Sequence, residues 1–104
     1  MTEARRRRLA ENQALFREIN ERIGASAESQ GDDAHTYEFV CECSTSDCFE
    51  RLDLRLDEYR LVRERERRFI VLSGHERPEI EDVVERRGPV AIVEKRNDAT
   101  DAVA

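Results

Sequence analysis

The chain has 104 residues, 40% of them charged and 38% hydrophobic, with a formal net charge of −6. This limits it to one small domain with little apolar material for a core. The acidic balance excludes a nucleic-acid footprint over the whole surface, although a local basic patch survives it. No stretch reaches the roughly 20 apolar residues of a membrane span, and no apolar run of signal-peptide length follows Arg5–Arg8, so a cytoplasmic protein with no membrane partner is expected.

In chain order, residues 5–24 ("RRRRLAENQALFREINERIG") predict an amphipathic helix. Leu9, Asn12, Phe16, Ile19 and Ile23 recur at alternating steps of three and four, and Gly24 reads as the stop. In a domain short of core, such a coiled-coil seam either folds back on its own sheet or pairs with a second copy or another protein's helix, with Asn12 setting the register. Arg5, Arg6, Arg7 and Arg8 are candidate anion-binding residues for phosphate or an acidic partner. Like charges in one turn repel, however, and read more simply as a solvated, frayed arm. Residues 25–35 ("ASAESQGDDAH") offer nothing to bury and read as a flexible linker. The expected division is therefore helix 1–24, linker 25–35, folded module 36–96 and frayed tail 97–104.

Within the module the hydrophobic period alternates between two and about 3.6. Tyr37, Phe39 and Cys41 alternate with polar neighbours as in a strand, and so do Leu52, Leu54 and Leu56. Leu56, Tyr59 and Val62 then form one stripe of a short helix that ends in the self-neutralising charge run at 63–68. "RFIVLSG" (68–74) is too short for a helix and reads as the most buried strand, and two β-branched runs flank a hairpin turn at Gly88–Pro89. The fold class expected is α+β: an N-terminal amphipathic helix, a linker, then a small mostly antiparallel sheet with one helix and a Cys3His knuckle.

The knuckle rests on "EFVCECSTSDCFERL", which contains Cys41, Cys43 and Cys48, all the cysteines of the chain. In a reducing compartment, thiols this close bind metal or do redox chemistry more often than they form structural disulfides. Zinc needs four converging ligands. Residues i and i+2 of a strand lie ~6.5 Å apart, so the backbone must bend near Cys43, and "STSD" (44–47) is a short polar segment suited to that bend. His75 is the favoured fourth ligand, because Gly74 permits a tight turn beyond the "FIVL" strand and Pro78 stiffens the chain on its far side; His35, beside the linker, is the alternative.

Two other readings compete with metal binding. Three small buried thiols in a sheet would behave as hydrophobes. A redox pair is the weaker alternative, since Cys41 and Cys43 are too close for an unstrained bridge and no CxxC occurs. Three thiolates and an imidazole would close the shell of a structural Zn2+. Glu76 then reads as a surface acid rather than a general base, and no phosphate loop, nucleophile elbow or base-stacking platform accompanies it.

"CECSTSDC", "EYRLVR" (58–63), "RFIVLSGHERPEIEDVV" (68–84) and "IVEKR" (92–96), behind "FREINERI" (16–23), resemble a family of small, functionally uncharacterised bacterial proteins, mainly actinobacterial. Its pattern runs CECx4C, EYxxVR, FxVxxGHExPxxExVV and VxEK. The resemblance implies that Cys41, Cys43, Cys48 and His75 belong to one recurring unit; it implies no activity. Where that family opens its helix with a Thr-x-x-Glu capping box, this chain has Arg55, which cannot accept amide hydrogens, so a later start or a cap by Asp57 is expected.

The function expected is a non-enzymatic, zinc-stabilised interaction or regulatory adapter. It would bind itself or another protein through the N-terminal helix and take no small-molecule substrate. The alternatives are a nucleic-acid-binding regulator using Arg5–Arg8 and a redox-responsive thiol or zinc switch.

Overall fold

A computed structural model describes residues 2–31, 35–43, 45, 48 and 50–96. The predicted tail and parts of the predicted linker and of the "STSD" bend lie outside these residues. The elements are α1 (Glu3–Glu28), β1 (Thr36–Val40), β2 (Arg51–Arg55), α2 (Leu56–Arg63), β3 (Arg68–Leu72), β4 (Glu81–Arg87) and β5 (Val90–Lys95). The class is α+β as expected, with every strand pair antiparallel. The strands form two small sheets rather than one, β1-β2 and β3-β5-β4.

Alternation places the core. Phe39, Leu52 and Leu54 face inward from the first sheet, and Leu56, Tyr59 and Val62 complete the cluster from α2. Phe39 stacks on Tyr59 with ring centroids 4.4 Å apart. The most buried strand is β5 rather than the 68–74 run: it is central in the second sheet, and Val90–Val93 are all buried, so both of its faces are covered. Gly88 (φ +57) and Pro89 turn the β4–β5 hairpin where expected. A positive φ followed by proline's fixed negative one suits a type II′ turn.

Two helix boundaries differ from the sequence reading. α2 begins at Leu56, without delay, because the Glu58 carboxylate accepts the Arg55 amide (2.9 Å), which is half of a capping box, while the Arg55 side chain pairs with Asp57 (2.9 Å). α1 does not stop at Gly24 but runs on through four residues of the predicted linker to Glu28. Its first turn includes Arg5, whose amide is capped by Thr2 Oγ1 (3.1 Å), so the arginines lie on the helix rather than on a frayed arm.

The larger correction concerns which face of α1 is used. The buried stripe is Ala10, Gln13, Asn20, Gly24 and Ala27, with the half-buried Arg17 in line. It repeats the step of the predicted seam but lies one residue further on, a rotation of about 100°. Leu9 is buried against Ile80 and Ile23 packs on the main core, but Asn12 and Phe16 are half-buried and Ile19 is 39% exposed. The cause is polar. Gln13 Nε2 donates to the buried Glu81 carboxylate (2.8 Å), Arg17 donates to the carbonyls of Glu66 and Arg68, and Asn20 reaches β1. Leaving buried groups such as the Glu42 and Glu81 carboxylates without partners costs at least as much as a partly exposed isoleucine forfeits. No helix among the described residues is long and apolar enough to cross a membrane.

Candidate metal centre

β1 and β2 are joined by the segment that holds the three thiols. The ladder continues one rung beyond β1, with the Cys41 amide donating to Glu50 O (3.0 Å), and the chain then crosses to β3, where the Glu42 amide donates to Ile70 O (2.7 Å). This crossing supplies the bend that the spacing of Cys41 and Cys43 demanded. On the other side, β3 ends at Leu72 and Gly74 (φ +100) takes a conformation that side chains resist. The turn is closed by the His75 amide donating to Leu72 O (2.8 Å), and it swings the imidazole back over the thiols.

The result is a four-donor cluster. The ligand atoms of Cys41, Cys43, Cys48 and His75 all lie within 4.8 Å of one another. His75 Nδ1 is 3.7 Å from Cys41 Sγ and 3.6 Å from Cys48 Sγ. For bonds of about 2.3 Å to sulfur and 2.0–2.1 Å to nitrogen, a tetrahedral ion separates the two donors by about 3.6 Å. The donor set and the spacing therefore fit a metal ion, and His75 is the fourth member. His35 is exposed, edge-on to Tyr37 at 4.8 Å, and outside the cluster.

Burial is graded across the site. Cys41 and Cys43 are buried, while Cys48 and His75 are half-exposed and line an open cleft of about 570 Å³ with Thr45, Glu50, Gly74, Glu76 and Arg77. The Leu72 amide donates to Cys41 Sγ (3.2 Å), the outer contact that stabilises charge on a ligating sulfur. Without an ion the thiols share protons unequally. A hydrogen bond from Cys41 pulls Cys43 below the ordinary thiol value. Cys41 is pushed up because it donates that bond and is buried, and burial also raises Cys48. Three thiolates around a divalent ion leave one net negative charge, and Arg77, hydrogen-bonded to Thr45 Oγ1 (2.7 Å), places a cation in the cleft wall.

Glu76 is engaged at both oxygens, by the Gly74 amide (2.8 Å) and by Arg86 (3.0 Å). Its own backbone amide, Arg86 and Gly74 hold it below the usual carboxylate range, which makes it a weak proton acceptor.

Sequence reasoning overlooked Glu42. It is fully buried between two ligands, and its carboxylate accepts from the Ile70 amide (2.9 Å) and from Asn20 Nδ2 (2.8 Å). Burial raises its pKa against these bonds. Strand alternation sends an acid between two inward cysteines to the opposite face, so nothing local marked it for burial; the available signal was on α1, where Gln13, Arg17, Asn20 and Gly24 form a three-four stripe of polar and small residues beside the apolar one.

Comparison with known proteins finds no family model, no curated protein and no solved structure that matches the chain.

Proposed function

We propose that the protein is a small zinc-stabilised interaction or regulatory module, non-catalytic, working in the reducing cytoplasm. The carrying observation is the convergence of three thiols and one imidazole at tetrahedral spacing. The sulfur-rich, closed donor set supports a structural ion, and zinc is the first-row metal that tetrahedral sulfur and nitrogen sites most often hold. The depressed Glu76 carboxylate supports the absence of catalysis. The same four residues fall on the motif of the actinobacterial family that the sequence resembles, and we take the centre to be common to it.

The partner surface is what α1 leaves outward. Leu15 (54% exposed) and Ile19 (39% exposed) lie on its solvent side, flanked by the half-buried Asn12 and Phe16. It joins Asn12, Phe16 and Ile19 of the predicted seam to Leu15, which the seam did not include, Leu9 and Ile23 having turned inward, and the partner is a second copy or another protein's helix. Elemental analysis and native mass spectrometry of the full chain test the metal: one zinc per chain is the expected result, and a folded protein that takes none, even when supplemented, refutes the reading.

A further inference from the structure

We propose that the metal centre and the docking of α1 are thermodynamically coupled, so that metal occupancy sets whether α1 is held on the first sheet. The inference rests on the metal reading above and names a form of regulation for that site.

Three consecutive buried residues carry the coupling. Cys41 and Cys43 give their thiols to the donor cluster, and the residue between them, Glu42, gives its carboxylate to Asn20 of α1. Asn20 grips the same segment twice more: its Oδ1 accepts the Val40 amide and its Nδ2 donates to Val40 O, both at 2.8 Å. The ion and the helix thus hold opposite sides of residues 40–43. With the ion bound, Cys41 and Cys43 are fixed to one point, and the Glu42 carboxylate is presented at the height where Asn20 meets it. With the ion gone, the ligand sulfurs lose their common centre, and Glu42 is held to the second sheet by its bonds to one residue, its amide to Ile70 O and its carboxylate to the Ile70 amide.

The hydrogen bonds from α1 to residues 40–43 come from Asn20. The other α1 contacts reach elsewhere: Arg17 to two carbonyls and over the Phe69 ring (4.0 Å), Glu21 and Glu28 to Arg63 and Arg60 of α2, Gly24 to Tyr59, and Leu9 and Gln13 to Ile80 and Glu81, just beyond His75. Gly31 (φ +74), just beyond the helix end, is a backbone position tolerant of reorientation. Undocking would uncover the Tyr59 ring, against which Gly24 packs, and make it available to a partner. Coupling is reciprocal by linkage: whatever metal contributes to docking, docking contributes to metal affinity.

The test uses the full chain in two arms. In the first, zinc affinity is measured by competition with a chromophoric chelator for the native protein, Asn20→Ala and Glu18→Ala, the last an exposed residue of the same helix whose ion pair to Arg22 stays within α1. Asn20→Ala is expected to weaken zinc binding by about 10-fold, within the usual range of coupling, and Glu18→Ala to leave it within about 2-fold. In the second arm, which needs no variant, amide exchange is followed with and without zinc at Val40, whose amide is held by Asn20, and at Ile92 in central β5. Zinc removal is expected to speed exchange at Val40 at least about 10-fold more than at Ile92. Binding of zinc with equal affinity by the native protein and a folded Asn20→Ala overturns the coupling and leaves the metal centre standing. So does equal loss of protection at both amides, because the ion is then a general staple. If no zinc binds at all, the centre fails and the coupling fails with it.

Discussion

Gly24 lies against the ring of Tyr59, close enough that a Cβ at position 24 would meet Tyr59 Cε2 at 3.4 Å and Cδ2 at 3.7 Å. The residue that reads as a helix stop is instead the place where two helices approach. A methyl group fits at ordinary contact distance and removes a flexible residue from a helix interior, so Gly24→Ala is expected to stabilise the fold by about 0.5–1 kcal/mol. Gly24→Leu must displace Tyr59 from its stack on Phe39 and is expected to cost about 1–3 kcal/mol. Urea titrations of the two variants check the opposite signs.

Substitution separates the two histidines. His75→Ala removes one of four ligands and is expected to lower zinc affinity by more than the roughly 10–100-fold that loss of an outer partner costs, as are Cys41→Ser, Cys43→Ser and Cys48→Ser. His35→Ala is expected to leave affinity unchanged and stability within about 0.5 kcal/mol, since the ring is exposed and packs edge-on to Tyr37. Equal effects at positions 35 and 75 would contradict the geometry.

Metal binding releases a countable number of protons. The Cys41 hydrogen bond lowers Cys43, whereas Cys41 and Cys48 are raised, so the cluster holds fewer than three thiol protons to release. Zinc uptake at pH 7 is therefore expected to release between two and three protons, the shortfall from three being set by Cys43, and affinity to weaken as pH falls, by about 100-fold or more per unit near neutrality. Calorimetry in buffers of different ionisation enthalpy gives the count.

The buried Lys95 predicts an alkaline gain. Burial and then Arg17 lower its ammonium to about 8, against the opposing pull of Glu81. Between about 8 and the ordinary lysine value the unfolded chain holds a proton that the folded one has lost, so this group makes stability rise with pH across that window, by at most about 1.4 kcal/mol per unit. Lys95→Met is expected to flatten the rise, and denaturant midpoints from pH 7 to 10 in both proteins decide it.

The outward stripe of α1 separates association from folding. Leu15→Glu with Ile19→Glu changes two exposed positions and is expected to leave stability within about 1 kcal/mol while abolishing self-association or partner capture. Light scattering and chemical denaturation on the same samples test both halves, and a complex that survives the double change places its surface elsewhere.

What the sequence determined was local. The period of two at Tyr37, Phe39, Leu52 and Leu54, the stripe at Leu56, Tyr59 and Val62 and the turn at Gly88–Pro89 depend on neighbours within a few residues, and each appears where it was read. The preference for His75 over His35 came from Gly74, a constraint of the backbone beside it. The face of α1 turned inward was decided by tertiary structure. An apolar stripe at Leu9, Phe16, Ile19 and Ile23 specifies a helix, but which side of that helix is buried depends on what waits on the sheet. Here that was a buried carboxylate at Glu42, another at Glu81 and the open backbone of Val40. Unpaired buried polar groups cost more than exposed apolar ones, so the helix turned by one residue to meet them. Convergence of the thiols with the imidazole was likewise non-local, because it required β3 to lie beside the crossing at Glu42, a pairing between residues 28 apart in the chain.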